Sequence, residues 1–171
     1  MSKHADKHAH AATPAVAALV ATHTAHTLHA LHAYEHDPAS DLSYGLEAAA
    51  ALGVDPGQVF KTLCAYVDDR LCVGIVPVSG QLDLKALAHA LGGKKARMAP
   101  PADAERSSGY VVGGISPIGQ RKPLPTALDE TADLYDTVYV SGGRRGLDIG
   151  LSPRDLVRIT RAVVGPIAKD S

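Results

Sequence analysis

The stretch Phe60–Val78, FKTLCAYVDDRLCVGIVPV, reads as two β-strands joined by a very short connection. FKTLCAYV and LCVGIVPV are both rich in β-branched and other apolar residues, and neither carries a helical period. Asp68-Asp69 between them is a pair suited to a turn. A link this short joins antiparallel neighbours, because parallel strands need a crossover of about a dozen residues or more. The stretch therefore predicts a hairpin, and with it a sheet that is antiparallel or mixed.

The flanking segments supply helices. Thr13-Pro14 has the form of a helix start, a hydroxyl cap followed by Pro at the first helical position, and AVAALVAT carries that helix to about Ala21. HTLHALHAYEHD (His26–Asp37) is more strand-like toward its end, and Asp37-Pro38 stops it. SYGLEAAAALGV predicts a helix from a Ser43 cap to Gly53, and Asp55-Pro56-Gly57 opens a short helical turn. Downstream of the hairpin, Asp83 caps LKALAHAL, which ends at Gly92-Gly93. KKARMA reads as a short strand, ADAERSSG as a helical turn, and TVYVSGG and RGLDIGL as strands. Ser152-Pro153 starts a last helix, RDLVRITRAVV, expected to end at Gly165-Pro166. Helices and strands mix without regular alternation, so the fold class is α+β, with a central sheet and several packed helices. Residues 1–12 read as a disordered His-rich tail, and residues 13–171 as one domain.

Composition narrows the function classes. The formal charge is −1, so any nucleic-acid contact must be local. With one Phe, six Tyr and no Trp, aliphatic side chains must build the core. The two cysteines, Cys64 and Cys72, form no CxxC pair; they read as reduced, partly buried thiols, and no structural zinc is expected. No apolar run approaches the roughly 20 residues of a membrane span, and the N-terminus has no signal-peptide core, so the expected compartment is the cytoplasm. Eight of nine histidines fall in the first 36 residues, with His23, His26, His29 and His32 spaced three apart. That spacing tempts a metal reading, but no acid or cysteine completes a ligand set. No cofactor and no catalytic metal are expected.

Two glycine-bearing loops follow apolar strands. RSSGYVVGGISPIGQRK (Arg106–Lys122) places Gly113-Gly114 after Tyr110-Val111-Val112, with Pro117 beyond. Ser141–Asp148, SGGRRGLD, follows TVYV. Glycine permits positive φ and close approach of backbone to a ligand, so such loops can aim N–H groups at a phosphate or a developing oxyanion. A plain turn is the competing reading of each loop. Two of them, each beside a basic pair, suggest one site approached from two sides. Lys94, Lys95, Arg97, Arg121, Lys122, Arg144 and Arg145 would form a locally positive rim.

The motifs YEHDP (Tyr34–Pro38), QVFKTL (Gln58–Leu63), PVSGQLDLK (Pro77–Lys85), ALGGKK (Ala90–Lys95), RSSGYVVGGISPIGQRK and YVSGGRRGLDI (Tyr139–Ile149) occur together and in order. In this they resemble the YbaK family, bacterial Cys-tRNA(Pro) deacylases of the prolyl-tRNA-synthetase editing-domain superfamily. The resemblance runs from about Thr13 to the C-terminal helix. It implies a mixed α+β fold with a curved, largely antiparallel sheet around a small pocket. The activity it implies is removal of cysteine from mischarged tRNA(Pro), with the substrate's own thiol attacking the ester.

By the same resemblance the essential lysine falls on Lys61 and the loop glycine on Gly113, completed by Pro117. The substrate pocket falls on Tyr34, Tyr44, Thr62 and Asp148, together with Gly114, Ile115 and Ser116 of the loop. The implied partners are the acceptor end of tRNA(Pro) and prolyl-tRNA synthetase, with no membrane and no DNA. Three departures stand out: Tyr44 where close relatives carry Phe, Cys64 in place of an aliphatic residue, and a segment from Thr13 to Tyr34 three residues longer than usual. The rival expectations are an editing domain for another amino acid such as alanine, a non-catalytic module that binds tRNA or the synthetase, and a His-tail metal binder.

Overall fold

Phe60–Val67 pairs antiparallel with Arg70–Pro77 over eight residue pairs, and Asp68 and Asp69 both take positive φ, 46° and 68°. That backbone matches the right-handed twist of the strands it joins, and Asp tolerates it better than most residues. The Asp68 carboxylate accepts the N–H groups of Lys94 and Lys95 at 2.9 and 3.0 Å, tying the turn to the next strand.

The computed structural model describes residues 13–31 and 44–170. In chain order their elements are α1 (Pro14–Ala21), β1 (Thr27–Ala30), α2 (Tyr44–Leu52), β2 (Phe60–Val67), β3 (Arg70–Pro77), β4 (Gly80–Leu82), α3 (Leu84–Ala90) and β5 (Ala96–Met98). There follow α4 (Pro101–Ser108), β6 (Thr126–Asp129), β7 (Val138–Arg144), β8 (Leu147–Leu151), α5 (Pro153–Thr160), β9 (Val163–Gly165) and β10 (Ala168–Asp170). Short 3₁₀ turns occupy Pro56–Gln58 and Glu130–Leu134. Side-chain caps begin several helices as their sequences predict: Thr13 for α1, Asp83 for α3 and Ser152 for α5. Ser43, the expected cap of α2, lies outside the described residues, as do Tyr34 and the His-rich tail.

The strands form a five-stranded sheet in the order β5-β2-β3-β6-β9, a three-stranded sheet β1-β8-β7, and the pair β10-β4. The fold is α+β and mainly antiparallel, but β3–β6 and β6–β9 pair in parallel. Neither β6 nor β9 was legible as a strand. Thr126–Asp129 is buried on both faces and so shows no alternation, and prolines precede it. The last helix stops at Thr160, four residues before its expected end. Arg161 adopts a left-handed φ of 57° and its N–H caps Val157, after which the β-branched pair Val163-Val164 extends the sheet. β1 lies at the start of the stretch His26–Asp37, and the part beyond Leu31, where a strand was expected, lies outside the described residues.

The core has two main layers. One lies between the two larger sheets and includes Phe60, Cys64, Ile75, Leu128, Val140, Leu147 and Ile149, closed by Leu19 of α1 and Leu156 of α5. The other covers the far face of the hairpin, where Ala65, Val67, Cys72 and Val76 meet Leu87 of α3 and Ile167. Cys64 stands opposite Val73 and Cys72 opposite Ala65, so the two buried, free thiols point to opposite faces of the hairpin.

Candidate active site

The second pairing partner of β2 is short. β5 covers only Ala65–Val67, with Ala99 donating its N–H to the Cys64 carbonyl at 3.1 Å, so the edge of β2 at Phe60–Leu63 is left without a neighbour in the sheet. Backbone groups alternate in direction along a strand, so those of Thr62 point the same way as those of Cys64, toward the open side. A cavity of about 350 Å³ fills this gap. Its walls are the start of β2, α2 with Tyr44 and Ala48, α4 with Pro101 and Ala104, the loop at Val112–Ile115, and the β7–β8 hairpin.

Of the residues singled out from sequence, Tyr44, Lys61, Thr62, Gly113, Ile115 and Asp148 line this cavity. Gly114 and Ser116 do not. The Gly114 N–H is spent on the Val111 carbonyl at 2.9 Å, and Ser116 is fully buried, its Oγ accepting the Ile118 N–H at 3.2 Å. Pro117 is buried behind the loop. Tyr34 is outside the described residues.

A lysine and a carboxyl share the cavity without a salt bridge between them. Burial lowers the Lys61 ammonium below the usual lysine range, and it has no hydrogen-bond or ion-pair partner among the described residues. Asp148 is only 8% exposed, and burial pushes its carboxyl up to about 7. Its place on β8, opposite His29 on one side and Ser141 on the other, puts it in the middle of the three-stranded sheet. Thr62 adds a buried hydroxyl with no hydrogen-bond partner among the described residues. Three polar groups without partners among the described residues, on a largely apolar wall, are a lining suited to a polar ligand.

The two glycine loops do meet. Gly113 sits at φ +89°, and a Cβ there would lie 2.6 Å from Arg145 Nε; a Cβ on Gly114 would lie 2.7 Å from the Arg144 backbone. Side chains at these two positions would push the loops apart. Within the loop, Val112 donates its N–H to Glu105 at 2.8 Å, whereas the N–H groups of Gly113, Ile115 and Ser116 have no partner among the described residues. Gly113 and Ile115 combine a cavity position with a free donor, which is the arrangement an oxyanion needs.

The expected basic rim is only partly realised. Arg144 and Arg145 lie against the loop, but Lys94 and Lys95 are held by Asp68 at the hairpin tip, on the order of 20 Å from Lys61 at about 3.3 Å per residue. Sequence reasoning assigned the Ser141–Asp148 loop to the site but not Ser141 itself, and it found neither Pro101 at the cavity nor the specific bonding of Arg145. No residue spacing signals them, because their elements meet only in three dimensions. Among the described residues no group of three or more His, Cys, Asp or Glu is placed to hold a metal, and no helix is long and apolar enough to cross a membrane.

The aminoacyl-tRNA editing domain family matches residues 40–159. A candidate Cys-tRNA(Pro)/Cys-tRNA(Cys) deacylase of Enterococcus faecalis is 40% identical over 128 residues, covering 74% of this chain and 78% of that protein. A proline–tRNA ligase of Shouchella clausii is 38% identical over 83 residues, which is 48% of this chain but 14% of the ligase. Among solved structures, a candidate trans-editing enzyme for prolyl-tRNA synthetase superposes with a TM-score of 0.74 at 28% identity, covering 91% of this chain and 95% of the other.

Proposed function

Because the chain belongs to the aminoacyl-tRNA editing domain family, we propose that it is a trans-acting deacylase that clears cysteine from mischarged tRNA(Pro), using the substrate's own thiol as nucleophile. One observation carries the choice of mechanism: among the described residues lining the cavity there is no histidine, and the one thiol, Cys64, is pushed by burial up to about 11. A protein side chain activated as nucleophile would need a base beside it, and neither Lys61 nor Asp148 makes a hydrogen bond to the Thr62, Cys64 or Ser141 side chain. The cavity offers shape, donors and charge instead.

In this reading the cysteinyl sulfur attacks its own ester carbonyl. A carbon–sulfur bond forms, the carbon–oxygen bond to the terminal ribose breaks, and the thiol proton ends on the ribose oxygen. The product is a four-membered thiolactone that water then opens. The N–H groups of Gly113 and Ile115 stabilise the oxyanion, and Asp148, as carboxylate, holds the substrate α-ammonium. Lys61 acts as a point charge at the ester or the terminal phosphate. Tyr44 and Thr62 wall and orient the amino acid.

Selectivity then follows from reactivity. A pocket that sorts substrates by one methylene gains only about 1–3 kcal/mol. Holding a thiol in attack geometry is worth effective molarities on the order of 10⁵ M or more. The acceptor end of tRNA(Pro) is the substrate, prolyl-tRNA synthetase is the partner that supplies it, and the site of action is the cytoplasm. Residues 13–171 form the editing domain and residues 1–12 a dispensable tail. The test is deacylation of Cys-tRNA(Pro) by wild type, by Lys61→Ala and by a chain lacking residues 1–12. The truncated chain should match wild type and Lys61→Ala should be inactive while folded; an inactive wild type would end the proposal.

A further inference from the structure

Arg145 is exposed, yet it is the side chain that joins three walls of the cavity mouth. Its Nε and Nη2 both donate to the Val112 carbonyl, at 3.1 and 2.9 Å. Its guanidinium carbon lies 4.9 Å from the centre of the Tyr44 ring. Its stem packs against Gly113, where a Cβ would come within 2.6 Å of Nε and 3.2 Å of Cγ. The peptide that follows Val112 carries the Gly113 N–H, and Ile115, also at the cavity, carries another N–H with no partner among the described residues.

We propose that Arg145 is a positioning residue: by gripping the Val112 carbonyl and stacking on Tyr44 it fixes the loop so that the Gly113 and Ile115 N–H groups converge on the reacting carbonyl. Fixing the carbonyl of residue 112 also fixes the N–H of residue 113, because one rigid peptide plane carries both. The planar fork brings two N–H groups to converge on one carbonyl oxygen and stacks on Tyr44 at the same time, which a lysine cannot do. The absence of a side chain at Gly113 serves this contact as well as the loop's left-handed backbone.

The kinetic part of this inference rests on the deacylase reading; the structural part does not. Amide hydrogen exchange on the free protein tests the latter. Arg145→Ala should speed exchange at residues 111–116 while leaving β2 and β3 protected. Unchanged exchange in the loop would overturn the proposal whatever the enzyme's substrate. On Cys-tRNA(Pro), Arg145→Ala should lower kcat on the order of 10²-fold with KM little changed, as misplaced donors do. Arg145→Lys should recover less than a tenth of that loss, whereas Arg70→Ala, which removes the same charge at the exposed start of β3, should leave kcat unchanged. If KM rises instead while kcat holds, and Arg145→Lys restores it, the guanidinium is a phosphate contact and the positioning role is wrong. Equal loss of activity and of global stability, with no loop-specific exchange, would also sink it.

Discussion

Asp148→Asn should remove most of one pH dependence from the stability of this protein. In the folded chain burial raises the Asp148 carboxyl from 3.8 to about 7, so folding favours its protonated form. Below about pH 4 the carboxyl is neutral in folded and unfolded chains alike, and burying it carries no charge penalty. As pH rises toward 7 the unfolded chain gives up its proton while the folded chain keeps it, so stability falls across that window and levels off above it. A rise of roughly three pH units is worth about 4 kcal/mol at about 1.4 kcal/mol per unit. Urea denaturation of wild type and Asp148→Asn from pH 4 to pH 8 measures the effect. The stability difference should shift in favour of the Asn variant by several kcal/mol between those limits, with most of the change between pH 4 and 7. A difference that stays flat across the range would refute the buried, unpaired carboxyl.

Other perturbations test separate parts of the account. Gly113→Ala introduces a side chain at φ +89° and beside Arg145 Nε, so it should cost about 1–3 kcal/mol of backbone strain and lower kcat more than stability, read by thermal unfolding alongside deacylation. Asp129 is 2% exposed and accepts from Thr131 N–H and O–H and from the N–H groups of Ile167 and Ala168; Asp129→Ala should destabilise by about 3 kcal/mol and fray β10 first, which hydrogen exchange would show. The Cys64 thiol, buried and pushed up to about 11, should resist alkylation at pH 8 in the folded protein and react at once in denaturant. Fast alkylation of the native chain would show that the cavity floor is open.

Much of the architecture follows from local chemistry. The hairpin was legible because eight β-forming residues, a turn pair and a second run are contiguous. Caps at Thr13, Asp83 and Ser152 set three helix starts by side-chain hydrogen bonds made within three residues. What escaped was non-local. Thr126–Asp129 is a strand only because Val73–Ile75 and Val163–Gly165 flank it, and nothing in four residues encodes that. Likewise, Lys61, Gly113 and Asp148 come together from β2, a loop and β8 because β5 ends early and leaves the edge of β2 open. Their types could be read from motifs, but the free N–H groups of Gly113 and Ile115 could not. Neither could the engagement of Gly114, nor the grip of Arg145 on Val112. Hydrogen-bond partners of loop backbone depend on the folded path.

The most direct test compares initial deacylation rates on tRNA(Pro) carrying cysteine, serine or S-methylcysteine. Cleavage driven by the substrate's sulfur predicts rapid release of cysteine alone, with the other two near the uncatalysed rate. Release of serine or S-methylcysteine at a rate comparable to cysteine would contradict it, since neither carries a free thiol to attack the ester.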